Sequence, residues 1–164
     1  LLDISGDILS LDQLKGQNGT VIAFICNHCP YVIAIIQRLR NEAIELNKLN
    51  INTIAIMSND TIKYPEDSYD NMKIFAMKYK INFPYLFDEE QNVAKDYHAV
   101  CTPDIYGFSK DKILCYRGRI DSGKIKSTNT KIDRELYEAM IKIKDDGLGP
   151  LKQNNSFGCS IKWK

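Results

Sequence analysis

Val21-Ile22-Ala23-Phe24-Ile25-Cys26-Asn27-His28-Cys29-Pro30 carries five apolar residues straight into two cysteines spaced CxxC and a proline. A continuous apolar run of this length, 21–25, reads as a strand buried on both faces. Beyond Pro30, apolar residues recur at Val32, Ile36, Leu39, Ala43 and Leu46. Those i+3 and i+4 steps predict an amphipathic helix over about 30–49. Pro30 then sits in the first turn, where its missing amide has no intrahelical partner to lose. Two thiols at a strand-to-helix junction can open and close as a disulfide, which points to redox chemistry.

Working outward, 51–57 reads as a second buried strand, followed by Ser58-Asn59-Asp60 at its carboxyl end. Strand, helix and strand make a βαβ unit, which implies parallel strands and a right-handed crossover. Met72, Phe75, Ala76 and Tyr79 predict a helix over 68–79, then a short strand over 83–87 and a short helix over 93–97. The runs 105–108 and 113–117, separated by Ser109-Lys110-Asp111-Lys112, predict a β-hairpin. Leu136, Met140 and Ile143 place a last helix at about 131–144, and a glycine- and asparagine-rich tail occupies 145–164. The N-terminal extension, 1–19, reads as a small hairpin and turn covering a sheet edge. This order predicts one α/β domain over 1–164, with a thioredoxin-like central mixed β-sheet flanked by helices on both faces.

Composition narrows the function. At 164 residues and 44% apolar content, the chain can bury one sizeable core. Its 22 basic and 21 acidic side chains leave a formal charge of +1, with no broad electrostatic reason to expect a nucleic acid partner. No stretch approaches the roughly 18 apolar residues of a membrane span, and 1–20 is not a charged-then-apolar leader. A soluble, cytoplasmic protein is the expectation. The start at Leu1 without a methionine suggests a missing initial segment, which keeps a periplasmic setting open. Five cysteines are an odd number with one motif pair, so a structural disulfide framework is not expected. Zinc needs about four ligands and no second CxxC exists, so no metal or cofactor is called for. A metal-binding module built on Cys26, Cys29, His28 and His98 is the alternative.

A free thiol of pKa about 8.5 is mostly protonated at neutral pH, and the thiolate is the reactive form. The unpaired amides and dipole of a helix start favour an anion there. On this reading they act on Cys26, the exposed attacking sulfur, while Cys29 lies one turn deeper as the buried resolving sulfur. His28 adds a cationic or hydrogen-bonding group near the sulfurs, which leans the couple toward the oxidising end. Thr102-Pro103 precedes the hairpin. An X-Pro bond is the common site of a cis peptide, and a cis loop there presents backbone groups beside the CxxC.

The CxxC after a buried strand, the Thr-Pro before a hairpin and the βα insert between them resemble the thioredoxin superfamily, in the branch of the peroxiredoxins (AhpC/TSA) and TlpA-like thiol oxidoreductases. Phe24-Ile25-Cys26-Asn27-His28-Cys29-Pro30-Tyr31-Val32, Ser58-Asn59-Asp60, Phe83-Pro84-Tyr85-Leu86, Cys101-Thr102-Pro103-Asp104, Tyr116-Arg117-Gly118-Arg119-Ile120-Asp121 and Gly158-Cys159-Ser160-Ile161-Lys162-Trp163-Lys164 look like the peroxiredoxin-like thioredoxin family proteins of bacteria. The thioredoxin side of this resemblance implies a thiol-disulfide oxidoreductase. Cys26 is then the nucleophile, Cys29 resolves, Thr102 and Pro103 bind the substrate backbone, and protein or small-molecule disulfides are the partners. The peroxiredoxin side implies a thiol-dependent peroxidase with Cys29 at the peroxidatic position and Arg119 as the activating arginine. Peroxiredoxins carry a threonine three residues before that cysteine and a proline seven before it. Here Cys26 and Ile22 stand in those places, so dithiol exchange is the leading expectation.

Further candidates come with plainer readings. Cys101, two residues before Pro103, is a third redox partner or a small buried apolar side chain. Cys159 lies in a tail that can reach back over the domain, to resolve an oxidised Cys26 or Cys29 or simply to pack. Cys115 reads as core and His98 as the end of a short helix. Asn59 and Asp60 stand past a strand's carboxyl end, where α/β sheets place functional groups, though a polar loop is the default there.

Overall fold

The computed structural model describes residues 1–123 and 132–164. The CxxC junction is built as the hydrophobic pattern requires. Strand β2, Gly19–Phe24, is buried along its whole length and runs into helix α2, Pro30–Asn47. Strand β3, Ile51–Met57, returns parallel to β2, with Val21 opposite Thr53 and Phe24 opposite Ile56. Helix α2 buries Val32, Ile35, Ile36, Leu39, Ala43 and Leu46. Each larger aliphatic side chain contributes about 1.5–3 kcal/mol against exposure.

The remaining elements complete a six-stranded mixed sheet. Helix α3, Tyr69–Tyr79, leads to β4, Tyr85–Phe87, which pairs parallel with β3. Strand β1, Leu2–Asp3, lies antiparallel on the edge of β4, and Leu2 also bridges Ile8, so the N-terminal extension covers a sheet edge as expected. On the other side, β6, Asp104–Ser109, pairs antiparallel with β2, and β7, Leu114–Gly118, closes the hairpin. Alternation along the strands divides the core. Val21, Ala23, Ala55 and Met57 face α2, α3 and helix α5, Glu135–Asp146. Ile22, Phe24, Ile54 and Ile56 face the other layer, formed by the N-terminal extension, helix α4 (Asn92–Asp96) and Ile161 of the tail.

Two elements depart from expectation. A one-turn helix α1, Leu11–Leu14, occupies the extension, started by a capping box between Ser10 and Gln13. The tail is not a loose appendage: β8, Cys159–Ser160, pairs antiparallel with β5, Cys101–Thr102, in a separate two-stranded sheet. The last helix begins at Glu135, and the expected start at Lys131 lies outside the described residues. Among the described residues, no helix is long and apolar enough to cross a membrane.

Candidate active site

Chain direction brings the site together at the carboxyl end of β2. The strand stops at Phe24, Ile25 still donates to the Ile56 carbonyl at 2.9 Å, and Cys26 follows at its end. Helix α2 starts at Pro30, with Cys29 as its N-cap residue. The helix dipole and free amides therefore meet Cys29, three residues later than expected for Cys26. The physical reason is Pro30, which fits the first helical position and fixes the cap one residue before it. The expected contrast between an exposed and a buried sulfur is absent as well, since Cys26 is 1% and Cys29 0% exposed.

Thr102 binds both sulfurs. Its Oγ1 lies 3.3 Å from Cys26 Sγ, and its carbonyl accepts from Cys29 Sγ at 3.1 Å. The Thr102–Pro103 peptide is cis. The Cys26 thiol, the Val32 amide of the first helical turn and Cys159 surround the Cys29 sulfur and favour its thiolate. One carbonyl favouring the protonated form does not outweigh them, and the Cys29 thiol falls to about 4, with the Cys26 hydrogen bond as the largest cause. Cys26 moves far up, because it keeps the proton it donates to Cys29, because it is buried, and because Asp67 stands nearby. The hydrogen bond between the two sulfurs thus favours the charge on Cys29 and the proton on Cys26.

Asp67, fully buried, was not foreseen. It comes from a short 3₁₀ turn, Pro65–Asp67, in the insert before α3. Its carboxylate accepts from the Asn27 amide at 2.8 Å and from Asn59 Nδ2 at 2.7 Å, holding the CxxC loop to the end of β3. Tyr85 of β4 adds a hydrogen bond from its hydroxyl to Asn27 Oδ1 at 3.0 Å. His28 Nδ1 stands 2.8 Å from Asp67 Oδ2, out of line for a hydrogen bond, and the ring stacks on Tyr64 at 6.0 Å. His28 therefore faces Asp67, whose charge opposes ionisation of Cys26. Little in the sequence marks Asp67, because one acidic residue in a polar insert looks like any solvated loop residue. Tyr85 is hidden by its strand, where the pattern reads as core.

The other candidates separate cleanly. Cys159 lies opposite Thr102 in the β5–β8 pairing and is half-buried, and its thiol is raised to about 11 by burial and by its hydrogen bond to Cys29. Cys101 is buried against the Pro103 carbonyl at 3.5 Å, and burial pushes its thiol to about 12. Cys115, expected in the core, is half-buried and donates to the Ile113 carbonyl. Arg119 is committed to Glu135, with Nε 3.0 Å from Oε2 and Nη2 2.5 Å from Oε1. His98 ends α4 at a φ of 51°, and its carbonyl accepts from Arg117. Among the described residues, the donor cluster able to hold a metal is Cys26, His28 and Asp67, with all donor atoms within 4.8 Å, and His98 is not part of it. Asn59 and Asp60 are buried and tie the tail: Asn59 Oδ1 accepts from the Lys162 amide at 2.9 Å, and the Asp60 amide donates to the Lys162 carbonyl at 2.8 Å.

The AhpC/TSA family model matches residues 1–120. The chain belongs to the AhpC/TSA family. Among solved structures, an uncharacterized conserved protein from Geobacillus kaustophilus shares 40% identity, with a TM-score of 0.94 over all of this chain and 87% of that one. A hypothetical protein from Sinorhizobium meliloti shares 31% identity at the same TM-score, over all of this chain and 90% of its own. A secreted disulfide oxidoreductase from Mycobacterium tuberculosis, homologous to E. coli DsbE, aligns at 20% identity and a TM-score of 0.58 over 68% of this chain and 76% of that chain, a likeness of fold. No curated protein matches the chain. Membership in the AhpC/TSA family supports a thiol-based redox function.

Proposed function

We propose that this AhpC/TSA protein is a thiol-disulfide oxidoreductase whose working pair is Cys26 and Cys29, with Cys29 as the attacking thiolate. The carrying observation is the placement of both sulfurs on Thr102, with the start of α2 at Cys29. The Cys29 thiolate attacks a disulfide sulfur and the far sulfur leaves as a thiolate. Cys26 then gives its proton to that leaving group and attacks Cys29. This closes a Cys26–Cys29 disulfide and expels the second substrate sulfur as a thiolate that takes its proton from water, so two electrons pass from the pair to the substrate. Protein and small-molecule disulfides are the substrate class. Titration against dithiothreitol, followed by mass mapping, is expected to give one two-electron transition with a Cys26–Cys29 disulfide. Insulin reduction is expected to disappear in both Cys26→Ser and Cys29→Ser. A pair that never forms the disulfide rules this reading out.

The helix start at Cys29 also favours a second reading, a thiol-dependent peroxidase acting through Cys29. It predicts hydrogen peroxide consumption that needs Cys29 and survives Cys26→Ser. The engagement of Arg119 with Glu135 counts against it, as does Cys26 in the place of the peroxiredoxin threonine.

A further inference from the structure

The pair poses an access problem. Both sulfurs are essentially without exposed surface, yet thiol-disulfide exchange needs an approach along a disulfide axis and so depends on access. A third sulfur meets this need. Cys159 belongs to a strand laid antiparallel on β5, and its register partner is Thr102, the residue that touches both buried sulfurs. Gly158 lets that strand close down, since a Cβ there would lie 2.0 Å from the Thr102 carbonyl oxygen. Cys159 is half-buried, packs against the core cluster that contains Cys29, and is hydrogen-bonded to the Cys29 sulfur.

We infer that Cys159 is the gateway thiol of the site, the sulfur through which external disulfides exchange electrons with the buried pair. This rests on the Cys26–Cys29 dithiol reading above and puts Cys159 in place of Cys29 as the sulfur that first attacks the external disulfide. The reduced site holds two protons, on Cys26 and Cys159, and one negative charge on Cys29. As Cys159 attacks, its proton passes to Cys29, which acts as the base and whose new thiol finds the Thr102 carbonyl at 3.1 Å. Cys159 attacks an external disulfide, forming a mixed disulfide and expelling one partner thiolate, which takes the proton from Cys29. The Cys29 thiolate attacks Cys159, and the second partner sulfur leaves and takes the proton of Cys26. The Cys26 thiolate then attacks Cys29, closing the Cys26–Cys29 disulfide and freeing Cys159 as a thiolate. The external disulfide has gained two electrons from the buried pair and two protons, one from Cys26 and one from Cys159.

Two measurements on the full-length chain test this. In Cys29→Ser, incubation with glutathione disulfide is expected to place the adduct on Cys159 by peptide mass mapping, whereas an adduct on Cys26 overturns the inference. In Cys159→Ser, the Cys26–Cys29 disulfide is still expected to form at equilibrium, while insulin reduction slows about tenfold or more. Formation of that disulfide also reports an intact fold. Exchange at the parent rate in Cys159→Ser overturns the gateway and leaves the dithiol reading standing. Failure of the pair to form in the parent protein overturns the dithiol reading itself.

Discussion

Thr102 and Asp67 pull the Cys26 thiol in opposite directions. The threonine hydroxyl favours its thiolate, while the buried carboxylate of Asp67 opposes it. Thr102→Val is therefore expected to raise the Cys26 pKa and Asp67→Asn to lower it, both read from the pH dependence of iodoacetamide labelling at Cys26. Asp67→Asn also weakens the loop clamp to Asn27 and Asn59, at about 1–3 kcal/mol in urea denaturation. Cys29 gives a pH signature of its own. Its folded pKa, about 4, lies below the ordinary thiol value, so between those values the unfolded chain binds the extra proton. Its contribution to stability is present above the ordinary value and is lost as pH falls through about 4. Cys26 acts oppositely, because its raised folded pKa makes stability fall as pH climbs past the ordinary thiol value. Thiolate absorbance at 240 nm is expected to persist in the folded protein well below neutral pH and to vanish in Cys29→Ser.

At the scale of elements, β2, α2 and β3 were legible because long apolar runs with clear periods outvote local propensity. The start of α2 was legible too, since only its first turn suits Pro30. What that start implied for the cysteines was misread, because CxxC spacing alone does not say which cysteine caps the helix. Strand β8 was invisible: two residues carry no period, and the partner of Cys159, Thr102, lies 57 positions earlier. Asp67 was invisible for a similar reason, since its partners Asn27 and Asn59 meet it only in the folded chain. Gly158→Ala tests the strand. The added methyl collides with the Thr102 backbone, so β8 is expected to lift from β5 and Cys159 to alkylate faster with N-ethylmaleimide, with the overall fold kept by circular dichroism.

Across the whole molecule, one amide side chain joins the tail to the redox loop. Asn59 accepts from Lys162 and donates to Asp67, which in turn holds Asn27. Gln91 reinforces the tail through the Lys162 carbonyl at 2.8 Å and the Lys164 amide at 2.9 Å, and Ile161 is buried against the sheet. Deleting residues 157–164 is expected to cost about 3–6 kcal/mol, combining one lost aliphatic burial with buried amides left unpaired, measured by chemical denaturation. The order of these parts along the chain has a consequence in time. During synthesis, the CxxC, its carboxylate and the Thr-Pro loop all leave the ribosome before the strand that covers them, and domains begin folding from the N-terminus. Each nascent molecule therefore passes through an interval in which its most acidic thiol lacks its last hydrogen-bonding partner and its cover. The strand Cys159–Ser160 ends that interval when it pairs with β5.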